Sequence, residues 1–573
     1  MTKQISFQQL YTPEGASLGD HPHDRYPRPQ LVRKDWLSLN GTFRFGFEGC
    51  PETDIRVPFC PESLLSGYKG EVPYGAKMRY KKEFEVPEEW RSRRIILHFG
   101  AVSRLCEVFI NGKKVIEHDN GYLPFEVDIT NELNTSDSKL NLLEVHVIND
   151  LDPAFPTGKQ SKKRGGMWYT PVSGIWQSVW LEPVPEKYVR RIVISTDPEG
   201  ADISAEGADT GIILCEGKEY ALKDGKARIE PDEKKYWSPE SPYLYRFTLS
   251  CGEDTIESYF ALRTLEIKDC DGVKRLCLNG RPYFFHGLLD QGYFSDGLYT
   301  PADLSLYEKD ILAMKALGFN TLRKHIKIEP EQFYYDCDRL GMVVFQDMVN
   351  NGVYSFFKDT LLPTIGLVHR NDRVSHRNKF ARRTFNEAME KTVELLRNHP
   401  CICYWTIFNE GWGQFDADSA YDRLKKLDGS RFTDSTSGWF HRKNSDVDSI
   451  HIYFKKLHPG KRTDLPLVIS EFGGYVYKIP EHSFNLEKTY GYRIFADKDA
   501  FKQAIRDLYR LEVLPLVQKG LSTAIYTQVS DVEDETNGLL TYDRQVCKLA
   551  PEDFRDISDM LYKASAGMIP EQN

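Results

Sequence analysis

The sequence has no Cys-x-x-Cys pair, and its eleven cysteines are scattered and odd in number. That excludes a full set of intramolecular disulfides and the common zinc-site spacings. Cys401 and Cys403 lie two apart in an apolar run, so on a strand they would share a face. No further ligand is spaced to complete a metal site with them, so free thiols, buried in a reducing compartment, are expected. No apolar run is long enough to cross a membrane. The start, Met1-Thr2-Lys3-Gln4, lacks the apolar core of a signal peptide, and a cytoplasmic protein is expected. Blocks of one charge are missing as well. Lys and Arg number 75 against 84 Asp and Glu, a formal net charge of -9, and the signs are interspersed. A basic stripe for nucleic acid is thereby excluded.

Aromatic residues, by contrast, reach 13%. Most serve core packing, but sugar sites also use aromatic faces as platforms. Residues 1–183 alternate apolar and polar in short runs: Thr42 to Phe47, Tyr80 to Val86, Arg94 to Phe99, Cys106 to Ile110 and Leu142 to Ile148. Asn111-Gly112 and Asn120-Gly121 read as turns between them. The pattern predicts an antiparallel jelly-roll β-sandwich. Residues 184–265 predict a smaller immunoglobulin-like β-sandwich, with strands at Tyr188 to Ser195, Leu244 to Ser250 and Glu257 to Leu262.

From residue 266 to 573, apolar strands alternate with amphipathic helices. Strands are expected at Tyr283 to Leu288, Thr321 to His325, Val343 to Asp347 and Cys403 to Asn409, then at Phe432 to Ser435, Ser449 to Tyr453, Leu467 to Glu471 and Thr523 to Val529. Helices are expected at Leu304 to Leu317, Glu329 to Leu340, Phe380 to Arg397 and Asp499 to Lys519, the last capped by Asp499 and kinked or ended early by Pro515. Eight strands with helical crossovers predict a (β/α)8 TIM barrel.

Functional residues of such a barrel lie at the C-terminal ends of its strands. There the second strand carries Arg323-Lys324-His325, the third Gln346-Asp347 and the fourth Asn409-Glu410-Gly411-Trp412. The sixth carries His451-Ile452-Tyr453, the seventh Ser470-Glu471-Phe472-Gly473-Gly474, and the eighth Gln528 and Asp531. Glu410 and Glu471 thus face each other across the mouth, each following an apolar strand and preceding glycines that permit a tight turn. A carboxylate pair about 5–5.5 Å apart is what double displacement at a glycosidic carbon requires. Glu410 is read as acid/base and Glu471 as nucleophile. Solvated loop acids are the plainer reading for each Glu alone; the joint placement outweighs it.

At these residues the sequence resembles glycoside hydrolase family 2, which includes β-galactosidases, β-glucuronidases and β-mannosidases. Ser173-Gly174-Ile175-Trp176-Gln177-Ser178-Val179-Trp180-Leu181 looks like the family's closing strand of its sugar-binding-like domain. Trp237-Ser238-Pro239-Glu240-Ser241-Pro242-Tyr243-Leu244-Tyr245 looks like its middle domain, and Leu278-Asn279-Gly280-Arg281-Pro282 with Phe285-His286-Gly287 like the start of its barrel. The resemblance implies that Asn409 binds the sugar 2-hydroxyl, that Arg323 keeps Glu471 ionised and that Tyr453 hydrogen-bonds it. His325, His451 and Asp347 would line the sugar site, with Trp412, Phe415, Trp439 and Tyr475 as aromatic walls. Asp347 pairing with Arg323 is the alternative to its binding a sugar hydroxyl.

Two departures bear on the sugar. The loop Leu288-Leu289-Asp290-Gln291-Gly292-Tyr293 lacks the Asn and His-Glu of typical β-galactosidases. The stretch Asp531-Val532-Glu533-Asp534-Glu535-Thr536-Asn537 lacks the Asn-x-Lys by which β-glucuronidases read a sugar carboxylate, and its acidity argues against an anionic glycone. Lys324 remains a candidate carboxylate partner, with a helix-side or solvent role as the alternative. The expected function is a retaining exo-β-glycosidase, β-galactosidase-like, acting on the terminal sugar of an oligosaccharide or glycoside. An arabinofuranosidase or galactofuranosidase keeps the same chemistry, and a catalytically silent carbohydrate-binding protein is the reading from another class. No organic cofactor, metal, nucleic-acid partner or membrane is expected; the resemblance implies a homo-oligomer as one assembly open to the chain, since accessory β domains often supply such contacts in the family.

Overall fold

The computed structural model describes residues 7–134, 139–368, 371–460, 462 and 464–566. The polar start Met1 to Gln4 lies outside them. The chain is a three-domain β and α/β protein, two sandwiches followed by a barrel.

The first sandwich packs a six-stranded sheet on a four-stranded one. Its longest ladder pairs Leu140–Ile148 with Lys77–Glu85 over nine residues. Along Leu140–Ile148 every second side chain is buried, as a strand with one face on a core must place them. Phe45, Tyr80, Leu97, Phe99 and Val145 fill the space between the sheets. Asn111 and Gly112 take φ of 50° and 82°, the left-handed pair that a two-residue hairpin needs. Asn120-Gly121 does something else. The strand before it, Lys113–His118, belongs to the six-stranded sheet, and the strand after it, Phe125–Asp128, to the four-stranded one. The chain is crossing between sheets, and Asn120 Oδ1 accepts the N–H groups of Tyr122 and Leu123 at 2.9 and 3.2 Å.

Seven strands from Arg191–Thr196 to Asp254–Phe260 form the second sandwich, as sheets of three and four. Arg33 joins it to the first. Its guanidinium donates to Asp254 at 2.8 and 2.9 Å and to Glu182 at 3.1 Å, all three side chains being buried. Arg33→Met would leave the buried Asp254 carboxylate without a cation among the described residues, while Glu182 keeps Arg28. A loss of about 3–5 kcal/mol is expected, read as a clear fall in the thermal midpoint. An unchanged midpoint would mean that the junction contributes nothing.

The barrel strands are β1 (Phe285–Asp290), β2 (Thr321–Lys324), β3 (Val343–Asp347), β4 (Ile402–Asn409), β5 (Phe432–Ser437), β6 (Asp448–Ile452), β7 (Leu467–Gly473) and β8 (Thr523–Thr527). All are parallel, in the hydrogen-bonded order β5-β4-β3-β2-β1-β8-β7-β6. β5 and β6 end the ladder and lie beside each other. The expected helices appear as Ser305–Ala316, Glu331–Leu340, Lys379–Leu396 and Lys498–Leu508. Ala417–Leu427 and Pro551–Ala566 are further helices that the sequence reading did not single out.

Asp497, not Asp499, caps the helix at 498, accepting from the N–H groups of Asp499 and Ala500 at 2.9 and 3.3 Å. Asp499 stands inside the first turn, where its charge meets the positive end of the helix dipole. Ahead of Pro515 the chain widens into a π-helical turn, Tyr509–Val513, and then resumes as Leu514–Val517. A wider turn absorbs the missing proline N–H and its ring. All eleven thiols are free, and Cys401 and Cys403 are buried at the start of β4. Among the described residues no helix is long and apolar enough to cross a membrane.

Candidate active site

The strand ends deliver the side chains in a fixed order. Glu410 follows β4 in a left-handed conformation, φ 53°. Its N–H donates to Ser437 O at 3.0 Å and its carbonyl accepts from Trp439 Nε1 at 3.1 Å, which holds that strained turn in place. Glu471 lies within β7, two residues before Gly473 and Gly474, at φ 82° and 66°. A Cβ on either glycine would come within 2.5 Å of a tyrosine ring, Tyr526 or Tyr492. Only glycine fits both the angle and the space.

One oxygen from Glu410, one from Glu471 and one ring nitrogen of His451 lie within 4.8 Å of one another. His451 Nδ1 is 2.9 Å from Glu410 Oε1 and 3.6 Å from Glu471 Oε2. The two carboxylates sit in different surroundings. Glu471 is 6% exposed and receives Arg323 Nη1 at 3.0 Å and the Tyr453 hydroxyl. Burial alone would raise its pKa. The charges of His451, Arg323 and His325, with the Tyr453 hydrogen bond, outweigh burial and hold it at about 2. Glu410 is 16% exposed, and among the described residues the His451 ring is the basic group within ion-pair distance of it.

Arg323 spends all five N–H groups below this pair. Nε donates to Asp347 Oδ1 at 3.0 Å, and Nη1 to Ser470 O and Glu471 Oε1 at 3.0 Å each. Nη2 donates to Asn409 Oδ1 at 2.8 Å and Ser437 Oγ at 2.9 Å. Asn409 Oδ1 is therefore occupied by protein, and its Nδ2 has no protein acceptor among the described residues. Asp347 has both oxygens engaged, the second by His325 Nδ1 at 2.8 Å. His325 Nε2 makes no hydrogen bond among the described residues. Burial lowers the pKa of His325 in spite of Asp347, which favours the neutral ring.

The expected residues do not all reach the mouth. Trp412 is buried, with Nε1 bonded to Gly352 O at 2.9 Å and Trp168 and Tyr354 edge-on to it. Phe415 is core, packed on Phe385 and Phe408. Trp439 stays half-buried, edge-on to His451. Tyr475 packs on Phe495 and Tyr526. Lys324 alternates to the helix side of β2, buried and paired with Asp290 at 2.6 Å and Glu329 at 2.8 Å.

The acids after β8 are also committed. Asp531 pairs with Lys548 at 2.7 Å, and Glu533 and Asp534 with Arg164 at 2.8 and 3.0 Å. Glu535 accepts from the Tyr169 hydroxyl and from Gln528 Nε2. The expected negative face toward the sugar is thus corrected: each acid has a protein partner, although Asp531 Oδ2 is buried without a hydrogen bond, and burial raises Asp531 and Glu535 to about 6.

Several neighbours of the carboxylates escaped the sequence reading. Ser437 ends β5, whose polar composition hid it. Tyr492 stacks on Tyr453 with ring centres 3.8 Å apart. Lys159, Trp168 and Tyr169 come from the first sandwich, more than 150 residues before β8 with no local motif to mark them.

A metal reading of Glu410, His451 and Glu471 meets an obstacle. An ion there would compete with the Arg323 guanidinium and the Tyr453 hydroxyl for Glu471, and cations repel.

A (β/α)8 barrel behind two β-sandwiches, with a carboxylate pair from β4 and β7 held by a buried arginine, defines the class of protein. Comparison with known proteins agrees. Residues 266–465 match the glycosyl hydrolases family 2 TIM barrel domain and residues 70–185 that family's sugar binding domain. The chain belongs to glycoside hydrolase family 2. The barrel match stops short of Glu471, so that residue enters on geometry.

A β-galactosidase from Thermoanaerobacter pseudethanolicus is 25% identical over 488 residues, 77% of this chain and 60% of that protein. The β-glucuronidase of Homo sapiens is 25% identical over 436 residues, 67% of this chain and 63% of that one. The chain thus spans about three fifths of the length of these curated relatives. Among solved structures, a β-D-glucuronidase from Dictyoglomus thermophilum aligns with a TM-score of 0.72 at 17% identity, covering 94% of this chain and 98% of that one. A β-galacturonidase from Eisenbergiella tayi bound to galacturonate aligns at 0.69 and 21%, covering 94% and 99%. At these identities the likeness is one of fold.

Proposed function

We propose that this chain is a retaining exo-β-glycosidase, with Glu471 as nucleophile and Glu410 as general acid and then general base. The observation that carries the proposal is the carboxylate pair with oxygens within 4.8 Å, well short of the roughly 6.5–9.5 Å by which an inverting pair makes room for its attacking water and suited to direct attack. Glu471, anionic through the neutral range, attacks the anomeric carbon while Glu410 gives its proton to the departing oxygen. Water then attacks the glycosyl ester, losing its proton to Glu410, and Glu471 leaves as carboxylate. Arg323 and Tyr453 stabilise that leaving carboxylate. Asn409 Nδ2 lacks a protein acceptor among the described residues and is the donor offered to a sugar hydroxyl, while His325, neutral and giving its Nδ1–H to Asp347, offers Nε2 as an acceptor. Asp347 acts through Arg323 and His325, as a positioning residue. Exo action is supported by the first-sandwich segment that reaches across the mouth at Thr157 and Gly158, bonded to Asn350 O at 3.1 and 3.3 Å.

The test is a panel of nitrophenyl glycosides: β-galactoside, β-glucuronide, β-mannoside, β-glucoside, α-L-arabinofuranoside and β-galactofuranoside. Release from a pyranoside supports the proposal. Release from a furanoside alone moves it to the furanosidase chemistry. Sugar binding without any release leaves only a carbohydrate-binding protein. Light scattering on the same sample reports whether copies of the chain self-associate.

Tyr453→Phe removes one donor from Glu471 and raises its pKa. The sign follows from the depressed value. A carboxyl at about 2 rather than its ordinary 4.5 stays ionised down to very low pH and adds stability above 4.5 that is lost as pH falls through 2. In the variant the acid limb of kcat/KM moves to higher pH, and kcat falls about 10²-fold. An acid limb that does not move would mean that Tyr453 leaves the nucleophile's ionisation alone.

A further inference from the structure

Among the described residues, the buried basic side chains around the mouth are accounted for by protein partners; Lys455 and Lys456, just beyond Tyr453, are unpaired but exposed, whereas Lys159 is half-buried and unpaired. Arg323 has spent its five N–H groups, Lys324 is held by Asp290 and Glu329, and Lys548 by Asp531. Lys327 donates to Gly292 O and Tyr299 O at 2.6 and 2.8 Å and pairs with Glu329. Lys159 has no carboxylate within ion-pair distance among the described residues. Its Nζ lies 5.6 Å from the centre of the Trp168 ring and has no other recorded contact.

The position of Lys159 is fixed from both sides. Thr157 and Gly158 just before it are bonded to Asn350, beyond β3. Arg164, Tyr169 and Thr170 just after it are bonded to Glu533, Asp534 and Glu535, beyond β8. Trp168, which carries the ammonium on its face, stands edge-on to Trp412 at 5.1 Å, two residues from Glu410. The charge of Lys159 is felt at His325 on one side and at Glu535 on the other, lowering the pKa of both. The segment that carries Lys159 therefore runs from the loop after β3 to the loop after β8, with the ammonium near enough to His325 and Glu535 for its charge to act on both.

We infer that Lys159 reads a negatively charged group on the glycone, the carboxylate of a uronic sugar, from the first sandwich rather than from the barrel. This rests on the glycosidase reading of the same site. A half-buried ammonium without a counter-ion is costly, and one aromatic face offsets only part of that cost. Glu535 is the competing anion, but its carboxylate is already bonded to Tyr169 and Gln528. A sugar carboxylate supplies the missing partner through a charge-assisted hydrogen bond.

The experiment compares wild type, Lys159→Met and Lys159→Arg on two matched pairs of nitrophenyl glycosides, β-galactoside with β-galacturonide and β-glucoside with β-glucuronide. Within a pair only the oxidation state of C6 differs. Wild type is expected to favour the uronide of one pair. Lys159→Met should lower kcat/KM for that uronide by about 10–100-fold, the worth of one charge-assisted hydrogen bond, and change its neutral partner by less than about threefold. Lys159→Arg should keep the preference. A preference for the neutral sugars, or equal losses on both members of a pair, overturns the inference. If wild type cleaves none of the glycosides, the glycosidase reading fails, and calorimetric binding of free galacturonate, glucuronate, galactose and glucose decides the matter separately. Tighter binding of the acids that is lost in Lys159→Met upholds the inference; equal binding of acids and neutral sugars ends it.

Discussion

Glu471→Ala is expected to lower kcat by at least about 10⁴-fold while leaving the thermal midpoint near that of wild type. The loss is large because no other group can take its place. Asp347 is committed to Arg323 and His325, and the proposed mechanism already assigns Glu410 to the leaving-group side. The variant also leaves the Arg323 guanidinium short of one anion, so a small exogenous anion has a charged place to bind. Azide is then expected to restore turnover and to give the α-configured glycosyl azide, because it attacks from the face that Glu471 occupied. Activity near wild type, or a β-configured product, would show that the nucleophile is another residue.

The second large effect is expected at Glu410. Glu410→Ala removes the proton donor to the leaving oxygen and the base for the water. With a poor leaving group, such as an alkyl glycoside, the loss should reach about 10³–10⁴-fold. With dinitrophenolate, which departs without a proton, the glycosylation step should be little changed, and a burst followed by slow release should appear. Azide here is expected to give the β-configured product, since it attacks the glycosyl ester from the side Glu410 occupied. Losses of equal size for both leaving groups would take the acid role away from Glu410. Together the two variants yield opposite azide anomers, which a merely structural role for either carboxylate does not produce.

Much of the site was legible because a parallel barrel converts strand ends into a ring. Once Thr321, Ile402 and Leu467 are recognised as opening strands, Arg323, Glu410 and Glu471 must converge at one face. Alternation did the same for the sandwiches, where the ladder of Leu140–Ile148 follows directly from its pattern. What local patterning could not show was what each side chain would meet. Trp412 and Trp439 look equivalent as loop aromatics. The first is locked into the packing by Gly352 and Trp168, and the second bonds the backbone of Glu410. Asp499 looks as good a cap as Asp497, and only the entry of the chain into the helix chooses between them. The acids at 531–535 read as an open negative loop until Arg164, from another domain, and Lys548 are seen to neutralise three of them.

The sequence by itself determined the domain classes, the eight barrel strands and the facing carboxylates, since these follow from hydrophobic period and from the geometry of the barrel. Arg323 and Tyr453 were expected beside Glu471 from the resemblance; tertiary structure added His451 and His325 to the groups that hold its carboxyl low. It alone anchored the Lys159 segment between the loops after β3 and β8, because those hydrogen bonds join residues hundreds of positions apart. Periodicity reports on neighbours along a helix or strand; a charge felt across a domain junction leaves no trace in it.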